Sequence, residues 1–194
     1  MTIGATLAAL AIAASAWAGE SAQIAERTMR VCLQSGLDPQ IAYVARPMAS
    51  KMFAAIGVRI DWRRHMRDCA PGDGSIAIDL AYKTPQGKFP GAFAYALPYE
   101  GTHIVVFFDR ILETAGRGRA AFLLAYVLVH EITHIVQGVV RHSTSGIMKA
   151  QWESGDCFDM TGQRVVFAPE DVRLIYQGLD RRQFRLAEAA GSQQ

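Results

Sequence analysis

Net charge is what this chain most lacks. Lys and Arg number 20 against 18 Asp and Glu, which leaves +2 at pH 7. That balance, with no Lys/Arg stripe along the chain, argues against a nucleic-acid partner. Cysteine is scarce as well, limited to Cys32, Cys69 and Cys157. None has metal-ligand spacing to another, which argues against a cysteine zinc site. One disulfide plus a free thiol leaves three pairings open; alternatively each cysteine is a small buried apolar residue. Internal repeats, low-complexity tracts and dividing linkers are missing too, so 194 residues read as a single domain.

Residues 1–18, MTIGATLAALAIAASAWA, carry no charged side chain. Their apolar core, Ala5 to Ala14, is too short to span a bilayer comfortably. It ends in Ala16-Trp17-Ala18, a small-residue cleavage pattern. The expectation is a signal peptide over 1–18, a mature domain over 19–194 and a secreted or periplasmic protein. No stable membrane association is expected after cleavage. An N-terminal helix that packs on the domain or anchors to a membrane is the alternative.

What the chain does have is clear periodicity. RTMRVCL (27–33) alternates weakly and reads as a first strand. Asp38-Pro39 is an N-cap followed by proline at the first helical position. Ile41, Val44, Met48, Met52 and Ile56 recur at three- and four-residue steps, giving an amphipathic helix over 39–56, with a kink expected at Pro47. Four strand candidates follow: VRIDW (58–62), SIAIDLAY (75–82), GAFAYAL (91–97) and HIVVFFD (103–109). The segment Gly116-Arg117-Gly118-Arg119 leads into AAFLLAYVLVHEITHIVQG, helical and apolar on nearly all sides, hence buried. Pro169-Glu170-Asp171 opens a last helix through Leu174 and Ile175. The tail AAGSQQ is expected to be disordered. The order predicts an α+β domain: a mixed twisted sheet of about five strands on two long helices, with a small C-terminal part.

Histidine is rare, five residues in all, yet three fall between 130 and 142. At this composition chance produces an HExxH motif about 0.005 times in such a chain, which makes coincidence a poor account. His130 and His134 lie four apart, so a helix projects both imidazoles from one face, where one metal ion can take both. Glu131 is rotated by roughly 100° from His130, beside the metal rather than on it. Two ligands and a carboxylate able to reach a water make the pattern of zinc-dependent hydrolysis. A catalytic zinc needs a third protein ligand. His142, past Gly138, is one candidate; Glu153, nineteen residues beyond His134, is the other. The stretch WESGD around Glu153 is poor helix sequence. His65, in a basic stretch, and His103, opening a strand, read as surface residues.

HEITH, a glycine, a third histidine followed by Ser143-Thr144, and then Gly146-Ile147-Met148 resemble a metzincin metallopeptidase, nearest its matrixin branch. The archaemetzincin-like variants of the motif are part of that resemblance. It implies that His130, His134 and His142 bind Zn2+, that Glu131 is the general base, and that Met148 underlies the ligands. It also implies a mixed sheet whose antiparallel edge, here GAFAYAL, aligns a protein or peptide substrate. The spacing departs from the family pattern, which puts the glycine three and the third ligand six residues after the second histidine. Here they come four and eight after. If Glu153 is instead the third ligand, the site is thermolysin-like. Two further readings stay open: a non-catalytic zinc-stabilised binding domain, and a buried structural helix with no metal.

Overall fold

The computed structural model describes residues 27–192 except Ser35, Pro71, Lys88, Pro98, Glu100 and Gly101. The signal-peptide reading of residues 1–18 lies outside them. The elements run β1 (Arg27–Leu33), α1 (Pro39–Ala54), β2 (Val58–Arg63), a short 3-10 turn (Met66–Asp68), β3 (Ile76–Ala81), β4 (Ala94–Ala96), β5 (His103–Phe107), α2 (Phe108–Gln137), α3 (Ser154–Thr161) and α4 (Pro169–Gly191).

The five strands form one mixed sheet in the order β2-β1-β3-β5-β4. β1 pairs in parallel with β2 and β3, and β3 in parallel with β5. Only β4 runs antiparallel, with Tyr95 opposite Val105, and it forms the outer edge beyond β5. Strand alternation decides what is covered. Met29, Val31 and Leu33 of β1, Ile76, Ile78 and Leu80 of β3, and Ile104 and Val106 of β5 are buried in the core. Their alternates, such as Asp79 and His103, are half-exposed and pair at 2.7 Å. Cys32 is bonded to Cys69, tying β1 to the turn after β2, and Cys157 is the free thiol.

α1 begins as its sequence implies: the Asp38 side chain accepts from the Gln40 amide at 2.9 Å, with Pro39 in the first turn. The helix runs through Pro47 as one continuous element. α2 differs from expectation. It starts at Phe108, directly after β5, and breaks at Gly116 (φ 65°, ψ 162°), so the Gly/Arg segment lies within the helix rather than before it. The apolar run Phe107-Phe108 reads locally as strand, but Asp109 fits a first helical turn, where acidic groups are favoured. From Leu123 to Gln137 every residue is buried. α2 is long and apolar enough to cross a membrane, yet 94% of its most apolar window is buried inside the fold, the signature of a core helix.

Two further expectations are corrected. Residues 153–161 do form a helix: Glu153 caps α3, accepting from the backbone of Asp156 while the Asp156 carboxylate accepts from Glu153 N at 2.7 Å. This reciprocal capping box offsets the poor intrinsic propensity of Ser154-Gly155-Asp156. α4 continues to Gly191, so the tail is helical from 189 to 191. α4 crosses α2 at Gly178, where an added Cβ would come within 1.9 Å of the Val136 carbonyl oxygen. Only glycine permits that approach.

Candidate active site

The site grows from the last turns of α2. Gly138 ends that helix in the left-handed conformation (φ 69°), its amide donating to the His134 carbonyl at 2.9 Å. The chain therefore leaves the helix sharply, and four residues later His142 comes back beside it. A turn from Ser143 to Met148 follows, closed by the Ser143 amide donating to the Met148 carbonyl at 2.8 Å. Ile147 and Met148 are buried in the core. His142 itself is exposed, and its ring centre lies 5.3 Å from that of His130 and 4.9 Å from that of His134.

One ring nitrogen from each of His130, His134 and His142 lies within 4.8 Å of the others. The helical pair is oriented from behind. His130 Nδ1 meets the Ile147 carbonyl at 2.9 Å, and His134 Nδ1 meets the Val139 carbonyl at 3.3 Å. A carbonyl oxygen can only accept, so both Nδ1 atoms carry the proton. Burial, with the neighbouring imidazoles, pushes His130 down to about 3 and His134 down to about 4, so both rings are neutral near pH 7. Their Nε2 atoms then turn lone pairs toward each other across 3.1 Å. Two facing lone pairs repel unless a cation lies between them. Imidazole nitrogens on one tetrahedral zinc sit about 3.3 Å apart, close to the observed gap. The donor set thus fits a zinc ion.

Glu131 is 8% exposed, and burial pushes its carboxyl up to about 8. It borders a cleft of about 710 Å³ that also takes in the three histidines. One wall of this cleft is β4 with the strand's approach, Phe93 to Ala96; the other is the segment Lys149 to Trp152. The Trp152 ring stands edge-on to His130 at 5.3 Å. Lys149, which also lines the cleft, is paired with Asp156 at 2.8 Å.

The residues singled out by sequence separate cleanly. His130, Glu131, His134 and His142 border one cleft, while Met148 is fully buried. Glu153 lies outside the histidine cluster, with an 82% exposed side chain directed to Lys149 at 3.6 Å. His65 is exposed, and His103 pairs with Asp79. Sequence reasoning missed the supporting groups: the carbonyls of Val139 and Ile147, the ring of Trp152, and Asp171. A carbonyl carries no sequence signature, and Asp171 reads as an ordinary first-turn acid.

The fold and site together define an α+β domain with a three-histidine cluster beside an antiparallel sheet edge. No protein-family model matches the sequence, and no curated protein does. Among solved structures the chain is similar to the crystal structure of archaemetzincin from Methanopyrus kandleri, with a TM-score of 0.50 and 14% sequence identity. The match covers 82% of this chain and 99% of that one. At that identity the likeness concerns the fold.

Proposed function

We propose that the protein is an exported, metzincin-type zinc endopeptidase. The observation that carries this reading is the convergence of three imidazoles and one buried carboxyl in a cleft beside the outermost strand of the sheet. His130, His134 and His142 would hold the zinc. When bound, the ion supplies Lewis acidity, polarising a peptide carbonyl and making water more acidic. β4 is the outermost strand of the sheet among the described residues, the place where an extended peptide can add as a further strand. Phe93, Val140 and Trp152 give that peptide's side chains apolar contacts. Glu131 takes a proton from the attacking water and returns it to the leaving amine. A carboxyl raised by burial is ready to hold a proton, and with a cation held among the imidazoles Glu131 would shift back toward the ionised form a base requires. Met148 packs beneath the ligands. The archaemetzincin likeness supports the same reading.

Export belongs to the proposal as well. The Cys32–Cys69 disulfide supports it, because such bonds persist in oxidising compartments. Mass spectrometry of secreted or periplasmic material should find the N-terminus at Gly19; recovery of the intact chain in a membrane fraction would contradict it.

The decisive experiment measures hydrolysis of an unstructured protein, with and without a chelator, alongside zinc content. Glu131→Ala should retain zinc and lose about 10²–10⁴-fold in turnover. A zinc-loaded wild type that hydrolyses nothing would instead make this a zinc-stabilised binding domain. A wild type that takes up no zinc would leave a structural helix.

A further inference from the structure

His142 is the exposed member of the cluster, yet its position decides whether three nitrogens can meet. The residues on either side of it reach the same buried group. Arg141 Nη1 donates to Asp171 Oδ1 at 2.7 Å, and the Ser143 hydroxyl lies 2.8 Å from both Asp171 oxygens. Asp171, in the first turn of α4, is 0% exposed. A buried carboxylate is costly to desolvate and persists only when well bonded. An apolar residue here would avoid that cost, so the carboxylate needs a reason. Its backbone joins the same contact, since the Gln137 side-chain amide donates to the Asp171 carbonyl at 3.4 Å.

We infer that Asp171 is the positioning residue for His142: by gripping Arg141 and Ser143 it fixes the exposed imidazole where the two helical ones converge. This rests on the zinc-site reading above. The grip explains how a loop two residues longer than the family spacing still returns its histidine to the site. Instead of a short, taut exit from the helix, a carboxylate from a distant helix sets the loop's end point.

The test measures zinc affinity by chelator competition, and the visible spectrum of the cobalt-substituted protein, well below the melting temperature of each apo variant. Asp171→Asn should weaken zinc by about 10–100-fold, the usual effect of losing an outer-shell partner, and alter the cobalt spectrum. Should that variant fail to fold, Ser143→Ala carries the test with a smaller loss, and Ser143→Thr, which keeps the hydroxyl, should restore affinity. Glu170→Ala removes the exposed partner of Arg141 and should stay within about twofold of wild type. Folded Asp171→Asn and Ser143→Ala proteins with wild-type affinity and spectrum would overturn the inference. So would an equal loss in Glu170→Ala, which would point to general tethering of the loop. A wild type that binds no zinc overturns the site reading, and this inference with it.

Discussion

On one wall of the cluster, His130 and His134 stand on a helix buried without interruption from Leu123 to Gln137. On the other, His142 stands in an exposed loop whose neighbours hold on to α4. The helical pair owes its geometry to a local rule, since residues four apart share a face in any helix. The residues on either side of the loop histidine are held by contacts 28 and 30 residues away in sequence. If Asp171 positions His142 as inferred, one half of the site is preformed on α2 and the other depends on the docking of α4. Substitutions on the two walls should therefore fail differently.

The largest effect is expected for the proposed ligands. His134→Ala and His142→Ala should each weaken zinc by more than about 100-fold, beyond the usual outer-shell loss, as read by chelator competition. The comparison sharpens in the stability of the apo forms. His142→Ala should leave the apo melting temperature close to wild type, whereas His134→Ala alters a buried position. Equal apo stability in both would break the distinction between the walls.

Gly178→Ala attacks the docking of α4 without touching the cleft. With the Val136 carbonyl oxygen only 1.9 Å from the new Cβ, the helices must separate, at a cost of about 3 kcal/mol in chemical denaturation. Zinc affinity should fall as well, because α4 carries Asp171. Unchanged zinc affinity in a destabilised variant would mean that the loop wall stands independently of α4.

Met148→Leu should be milder, below about 1.5 kcal/mol, since the swap nearly conserves volume at a fully buried site. A loss of turnover as deep as that of Glu131→Ala would give the methionine a role beyond packing. Glu153→Ala should do least. An exposed ion pair with Lys149 and a helix cap are all it removes, about 1 kcal/mol of stability and no zinc. Zinc loss in that variant alone would revive the thermolysin-like alternative.

The fold was legible where one rule governed a stretch of chain. The parallel strands at 27–33, 58–63 and 76–81, the helix opened by Asp38-Pro39, and the buried helix carrying HEITH follow from alternation, capping and apolar periodicity. Boundaries failed where local preferences conflicted. Phe108 has strand chemistry but begins a helix, and WESGD lacks propensity but is rescued by its capping box. The edge position of β4 came from resemblance rather than spacing, because pairing order is a property of the whole sheet.

By itself, then, the sequence determined that two imidazoles and a carboxyl share one helix, because helical geometry converts spacing directly into direction. The choice between His142 and Glu153 as partner to those imidazoles belonged to the tertiary structure. Both follow the helix, both have suitable donor atoms, and nothing local ranks their distances. Folding ranked them by bringing α4 against the end of α2. There Asp171 bonds to the residues flanking His142, while the exposed Glu153 side chain pairs with Lys149.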